Sequence, residues 1–303
     1  MRSCWAMLRT ALRYEPMNLA RWEVLLMRAG LAWLVWRVML GDSQYLSQDH
    51  PNGVAMFADL TWLSDNRWEN ILRPVSGACL AAWVIGAPGA LALLVPLLFG
   101  IGLMTLKNSQ GAIGHSYQAV HLCLLGAWAA SVAYWIMRWR GRKHRAGLTA
   151  GQWEVDWAMQ ALGAGYVSSA ISKLVESHGM WFADSQYFAL HLIKNNQMKY
   201  LEYLEGAPPT MGALPQWLMD HPFWAQFLFG IALPLELFAF LAPRNRVMAL
   251  AFGGGLLLFH EMVKALTQLD FVFNESLLVI LWINPLFWMI KGVQRLQSNS
   301  LPV

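Results

Sequence analysis

The chain has few charged residues, and this shortage excludes an ordinary soluble domain. Asp, Glu, Lys and Arg make up 13% of the 303 residues, whereas soluble domains carry roughly 25%. Hydrophobic residues make up 57%, and long apolar runs recur from end to end. The basic residues cluster beside those runs and give a net charge of only +4, so they indicate membrane topology and not a nucleic-acid surface.

Cysteines and catalytic signatures are also scarce. Three cysteines without CxxC spacing give neither a disulfide framework nor a zinc site, and no metal is predicted. The chain contains no HExxH, no phosphate-binding loop and no nucleophile elbow. Residues 1–20 lack the apolar core of a cleavable signal peptide. Because Trp5, Leu8 and Leu12 share one helical face, this segment is predicted to be an amphipathic helix on the membrane surface.

The chain contains a series of apolar segments close to the roughly 20 residues that a spanning helix needs. They predict an all-α, polytopic bundle of eight transmembrane helices over residues 21–291, followed by a tail at 292–303. Proline and glycine at 86–89 divide a run that is too long for one helix. The expected spans are Trp22–Leu40, Ile71–Leu106 as two helices, Ile113–Met137, Trp153–Glu176, Pro222–Leu241, Val247–Leu266 and Glu275–Met289.

Basic residues between the expected spans predict the orientation. With the N-terminus in the cytoplasm, the basic runs 138–145, 244–246 and 291–295 all fall on the cytoplasmic side, as the positive-inside rule requires. Both termini are then cytoplasmic, and segments 41–70 and 177–221 lie outside. The second segment is either a lid or substrate surface, or an interfacial helix anchored by its aromatic residues.

The segment at 163–178 carries a lysine at membrane depth. Tyr166, Ser169 and Lys173 are spaced i, i+3 and i+7, so a helix puts all three on one face. An intramembrane lysine is by default a functional-site hypothesis. The alternative is a lysine near a helix end that snorkels to the interface.

The predicted topology brings ionisable residues of three helices to one depth near the extracytoplasmic surface. His115 begins one span, Lys173 ends the next, and His260 and Lys264 lie in the outer half of the seventh. Ionisable groups within a membrane usually pair or face a cavity, so we expect one shared site. The alternative is that each group is wetted separately at the interface. Tyr117 and Gln118 extend the polar set.

Two acidic residues have open roles. Glu261 follows His260 and is an acid, a ligand or the charge partner of Lys264. Glu236 lies closer to the cytoplasm in the sixth span, where helix pairing is the expected role and Arg28 is the candidate partner.

Three stretches carry a family resemblance. They are LKNSQGAIGHSYQAVHLCLLGAW at Leu106–Trp128, GYVSSAISKL at Gly165–Leu174 followed by Trp181, and FHEMVKALTQLDFVFNESLLVILWINPLF at Phe259–Phe287. In order and spacing they resemble the membrane domain of vitamin K-dependent gamma-carboxylase and its bacterial relatives, the HTTM-domain proteins. Glu236 falls where that family carries an acidic residue in the preceding helix. Ser172 departs from the pattern, because the family has a lysine doublet there.

The resemblance implies an enzyme that acts on a reduced quinone of the vitamin K type at the extracytoplasmic membrane face. Lys173 matches the family's base and His115 its companion histidine, with His260 as a third catalytic candidate. The base deprotonates the quinol, whose anion reacts with O2 to give an epoxide and a strong base. That base takes a proton from a glutamate side chain, and CO2 adds. The expected cofactor-binding residues are Tyr117, Gln118, Tyr166, Ser169, Glu261, Lys264 and Trp181.

The resemblance also implies partners and a location. The expected partners are the lipid bilayer, a lipid-soluble quinone and a peptide or protein substrate outside, and the expected location is the bacterial inner membrane. In this reading Lys173 rests as a neutral amine, a form that desolvation among apolar neighbours favours.

Two other function classes remain. One is a non-catalytic quinone-binding or scaffold subunit of a redox or export system, in which Lys173 is a structural charge. The other is a transporter. The clustering of the ionisable groups at one face, and not at the midplane, argues against this class.

Overall fold

The structure, a computed structural model, describes residues 17–41, 46–111, 115–141, 148–203, 213–267 and 269–299. Within these ranges the chain is helical and has no β-strand. Most of the predicted helix at 1–20 lies outside the described residues, so that prediction stays a prediction. The helices are α1 (Arg21–Met39), α2 (Asn66–Val84), α3 (Gly89–Ala92), α4 (Leu94–Asn108), α5 (His115–Trp139), α6 (Ala150–Glu176), α7 (Trp181–Asp184), α8 (Phe188–Tyr203), α9 (Ala213–Asp220), α10 (Pro222–Gly230), α11 (Ala232–Leu237), α12 (Arg246–Thr267), α13 (Val272–Leu277) and α14 (Pro285–Asn299).

Four helical segments of the described chain are long and apolar enough to cross a membrane. They are Gly89–Asn108, Ser116–Trp139, Arg246–Thr267 and Val272–Gln297. Four of the expected spans are therefore helices with the length and apolar composition to cross a membrane, and the number eight stays a prediction. The other expected spans coincide with helices that are less apolar or shorter. α1 and α2 carry several charged residues, α6 carries polar residues along its length, and α10 and α11 together are short.

The helices α5 and α6 form an antiparallel hairpin whose backbones approach closely at Gly126. A Cβ atom at this position would lie 2.7 Å from the carbonyl oxygen of Trp157 and 2.9 Å from the Cβ of Ala161. Glycine therefore sets how near the two helices come, as small residues do at helix contacts within membranes.

Gly126→Ala is expected to destabilise the protein by about 1–3 kcal/mol, because the added methyl group meets backbone atoms and forces the helices apart. The matched control is Gly254→Ala on α12, where a Cβ atom meets nothing within 4 Å. That change is expected to leave stability unchanged or to raise it slightly, because alanine has the higher helix propensity. Denaturant titration of both variants in detergent measures the difference, and equal stabilities would contradict the close approach.

The Glu23 side chain connects α1, the first described helix, with the start of α14, the last one, at one end of the bundle. Its carboxylate accepts hydrogen bonds from the Ala20 amide at 2.8 Å and the Asn284 side chain at 2.9 Å. It also forms an ion pair with Arg246 at 2.9 Å, and the Arg246 guanidinium lies 3.6 Å from the centre of the Phe287 ring. Asn284 adopts a left-handed conformation (φ 45°) between the π-helical segment Leu278–Ile283 and α14.

A second charged pair lies deeper in the bundle. Arg28 of α1 and Glu154 of α6 form a buried ion pair, and the Trp83 indole donates a hydrogen bond to the same carboxylate at 2.7 Å. Two glycines leave room for this group. A Cβ atom at Gly89 would lie 2.7 Å from a Glu154 oxygen, and one at Gly151 would lie 3.0 Å from the Arg28 guanidinium.

The opposite end of the bundle carries the two longer connections. Residues 46–65 are bound to the end of α4, where the Ser109 carbonyl accepts a hydrogen bond from the His50 amide at 3.0 Å. The helices α8, α9 and α10 form a separate small apolar core, against which Met262 and Leu266 of α12 pack. This second core includes Ala189, Leu192, Leu218, Ala225 and Phe229.

Candidate functional site

Lys173 lies in the last turns of α6 and is bound by two residues from other elements. Its ammonium forms an ion pair with Glu236 of α11, whose side chain is 5% exposed, while that of Lys173 is 22% exposed. The Trp181 ring lies beside the same ammonium, with its centre 5.4 Å from Nζ. The lysine is therefore held in a partly buried site and does not extend freely toward the interface.

This ion pair corrects one expectation from the sequence. Glu236 was expected to pair with Arg28, but Arg28 pairs with Glu154 and Glu236 pairs with Lys173. The reason is position: Arg28 faces the first half of α6, whereas Glu236 of α11 packs against the second half of that helix, where Lys173 lies.

Tyr166 lies two turns before Lys173 on α6 and joins this helix to α12. Its hydroxyl hydrogen-bonds to Nε2 of His260 at 3.0 Å, and both side chains are buried. The His260 ring packs on Phe271 with 4.7 Å between ring centres.

The Tyr166 contact bears on the proton positions of His260. When the Tyr166 hydroxyl donates to Nε2, the neutral imidazole carries its proton on Nδ1. Nδ1 is buried and has no hydrogen-bond partner among the described residues, so it is a donor available to a bound molecule.

Several buried polar atoms around these two pairs lack hydrogen-bond partners among the described residues. Buried polar groups are nearly always hydrogen-bonded in native proteins, so each such atom calls for a specific explanation. Two follow the Lys173 end of α6, just after that helix and in α7, and three lie in α12 and in the first turns of α13. They are Ser177 Oγ, Trp181 Nε1, His260 Nδ1, Asn274 Oδ1 and Glu275 Oε1. The set contains both donors and acceptors.

Other residues predicted for the site lie apart from these contacts. Tyr117 of α5 packs against Phe273 with 5.2 Å between ring centres. Lys264 forms an ion pair with Asp270 at 3.2 Å, and Glu261 is exposed.

Two predicted residues make no contact within the described structure that decides their role, and the side chain of a third is not described. Ser169 is half-buried on α6 between Tyr166 and Lys173, and Gln118 is half-buried on α5. His115 begins α5, and its side chain lies outside the described part of the structure.

Two residues of the site were missed in the sequence, although both lie in the third stretch that carries the family resemblance. Asn274 and Glu275 are the third and fourth residues of α13, in the first turn, where an acidic residue is ordinarily explained by the helix dipole. The sequence signal that could have found them is their closeness to His260 along the chain, from which a short turn separates them. Among the described residues, no group of three or more His, Cys, Asp or Glu side chains is arranged to hold a metal ion.

Comparisons of the chain with family models, with curated proteins and with solved structures found no match. The arrangement of Lys173, Glu236, Tyr166 and His260 therefore carries the functional proposal.

Proposed function

We propose that this chain is a multi-pass membrane protein related to the HTTM-domain proteins. In this proposal it binds a reduced quinone of the vitamin K type between the Lys173–Glu236 and Tyr166–His260 pairs. The observation that carries the proposal is the concentration of unpartnered buried donors and acceptors around these two pairs. A ligand that satisfies them must both donate and accept hydrogen bonds.

A reduced quinone has this chemistry. Its two hydroxyl groups lie on opposite sides of a flat apolar ring, and each can donate and accept. One hydroxyl is assigned to the end of the site with Lys173 and Trp181, and the other to His260 Nδ1. The apolar ring suits the aromatic side chains around His260, and a lipid-soluble tail suits a site within a bundle of apolar helices.

The proposed proton transfer uses the Lys173–Glu236 pair as a unit. A proton leaves the quinol hydroxyl for the pair, and the resulting quinol anion is stabilised by the positive charge that remains on Lys173. The Trp181 ring packs beside Lys173 and in this proposal limits the access of water to the pair. Lys173 acts as the base only after its own proton has moved to Glu236.

In the full carboxylase-like reaction, a bound reduced quinone would supply the reducing equivalents and O2 would be the oxidant, with one quinol and one O2 consumed for each quinone epoxide and water formed. Lys173 and Glu236 would take the quinol proton, and the oxidation would drive removal of a substrate C–H proton and addition of CO2. The proposed topology has eight spans with both termini in the cytoplasm of a bacterial inner membrane, and the site opens toward the extracytoplasmic face. The positive-inside distribution of the basic residues supports this orientation.

Binding of the reduced quinone is tested in nanodiscs under anaerobic conditions, with a radiolabelled reduced vitamin K-type naphthoquinone. His260→Ala is expected to weaken binding about tenfold, because one hydrogen bond in a buried site is lost. Lys194→Ala, which removes an exposed lysine of α8, is the control and should bind like the unmodified protein. Labelled quinol retained no better than by protein-free nanodiscs would contradict the proposal.

The second candidate function is a non-catalytic quinone-binding or scaffold subunit. The ion pair between Lys173 and Glu236 favours it, because such a pair also serves simply to neutralise two charges inside a helix bundle. In that case the double variant Lys173→Ala, Glu236→Ala still binds the quinol, and neither it nor the unmodified protein forms epoxide.

A further inference from the structure

The last described helix, α14, has no other described helix packed along its length. Residues 292–303 were expected to form a tail, but α14 continues as a helix to Asn299. Its 15 residues make it about 22 Å long. Most of the surface of this helix is therefore left uncovered by the described part of the chain.

Asn284 separates α14 from the segment before it. Its left-handed backbone ends that segment, and its amide donates a hydrogen bond to the Val279 carbonyl at 2.9 Å. Its side-chain oxygen accepts a hydrogen bond from the Phe287 amide at 3.3 Å, as a residue that caps the start of a helix does. The same side chain donates to Glu23, in the first turn of α1. The chain has therefore reached the Glu23 end of the bundle where α14 begins.

Five apolar side chains form a stripe along α14, which we call the α14 stripe. They are spaced i, i+3, i+4, i+7 and i+10, so they share one side of the helix. Each is between 37% and 72% exposed. They are Leu286, Met289, Ile290, Val293 and Leu296. Because apolar surface is unfavourable in water, such a helix suits the boundary between the headgroups and acyl chains of a bilayer.

The charges of α14 favour a lipid partner over a second copy of the chain. The helix has no acidic residue, and Lys291 and Arg295, spaced i and i+4, share the side opposite to the α14 stripe. A second copy would bring the same positive charges, whereas anionic phospholipid headgroups complement them. The start of α14 is fixed to the bundle, because the Arg246 guanidinium packs on the Phe287 ring.

We propose that α14 is an interfacial helix that binds the bilayer surface at the Glu23 end of the bundle. The α14 stripe lies among the acyl chains, and Lys291 and Arg295 lie at anionic phospholipid headgroups. The helix then runs along the membrane surface, although Val272–Gln297 as a whole is long and apolar enough to cross a membrane. This inference rests on the membrane location of the chain and not on the quinone site.

The test is a nitroxide scan of the full-length protein in vesicles of phosphatidylcholine and phosphatidylglycerol. The native cysteines at positions 4, 79 and 123 are replaced by alanine, and one labelled cysteine at a time is placed at positions 289–296. Collision with oxygen, which concentrates among acyl chains, is expected to peak at Met289, Val293 and Leu296, all at one depth. Collision with a water-soluble nickel chelate is expected to peak at Lys291 and Arg295.

Three results of the scan would overturn the proposal. A depth that changes steadily along the scan would show a helix that crosses the membrane. Equal access of the nickel chelate to every position would show a helix in water. Stripe positions that neither reagent reaches would show that protein covers the stripe, a second copy of the chain included.

The double variant Lys291→Gln, Arg295→Gln tests the headgroup contact. Each basic residue near an anionic surface favours surface binding about fivefold. A label at Val293 should therefore show a larger immersed fraction in vesicles with phosphatidylglycerol than in phosphatidylcholine alone, and the double variant is expected to lose this difference. A double variant that keeps it would contradict the placement of the two cations at headgroups.

If the cysteine-free chain does not fold, the unmodified protein decides the question. It is reconstituted with a phospholipid that carries a photoreactive diazirine near the headgroup end of one acyl chain. Cross-links to Met289, Val293 and Leu296 alike support the surface placement. Cross-links confined to one end of α14, or none, overturn it.

Discussion

Lys173→Ala is expected to lower quinol-epoxide formation at least about 100-fold, because a positioned proton-transfer group contributes roughly 10²- to 10⁴-fold to rate. The measurement is epoxide formed per protein in nanodiscs supplied with reduced vitamin K-type quinone and O2. Lys173 is the ammonium that Glu236 and Trp181 hold in place. Removing it leaves the Glu236 carboxylate without its charge partner and removes the charge that we propose stabilises the quinol anion.

The controls for this variant distinguish loss of chemistry from loss of fold. Lys194→Ala changes an exposed lysine outside the site and is expected to retain full activity. Glu236→Gln keeps the shape of the side chain but removes its charge, so it is expected to lower turnover while the quinol still binds. If Lys173→Ala forms epoxide at the rate of the unmodified protein, the lysine is a structural charge and the scaffold function is favoured.

Arg28→Ala is expected to destabilise the protein by about 3–5 kcal/mol, the range found when one partner of a buried ion pair is removed. The variant leaves the Glu154 carboxylate buried at 1% exposure with the Trp83 indole as its remaining donor. Thermal unfolding in detergent, followed by tryptophan fluorescence or by solubility, should show a clear drop in Tm.

The double variant Arg28→Met, Glu154→Leu shows whether charge or packing is responsible. It removes both charges and keeps most of the volume, so it is expected to recover most of the stability that Arg28→Ala loses. A double variant as unstable as Arg28→Ala would show that the guanidinium contributes through its packing against the Trp83 ring, whose centre lies 5.3 Å away.

The spacing of residues on one helix proved sufficient to place Tyr166 and Lys173 on a common side. Helical periodicity is a local property, and both residues of α6 contact other elements as that periodicity predicts. The expectation that His260 approaches α6 depended on the order of spans along the chain, and the Tyr166–His260 hydrogen bond is consistent with it.

The partners of the charged residues could not be predicted in the same way. Arg28 and Glu154 are 126 residues apart, and Lys173 and Glu236 are 63 apart. Which carboxylate meets which cation depends on how the helices are arranged around each other, and hydrophobic periodicity does not specify that arrangement. The number of spans does not follow from apolar runs for a related reason: the polar residues that make these pairs also lower the apolar character of α1 and α6.

The Glu23 carboxylate has a consequence for how the protein is made. Its partners Arg246 and Asn284 lie 223 and 261 positions later in the chain. During synthesis α1 is therefore made long before the groups that neutralise this acid. Until they are made, the Glu23 carboxylate lacks the ion pair that it has in the folded protein. Chains truncated before Arg246 are accordingly expected to be less stable than the full chain.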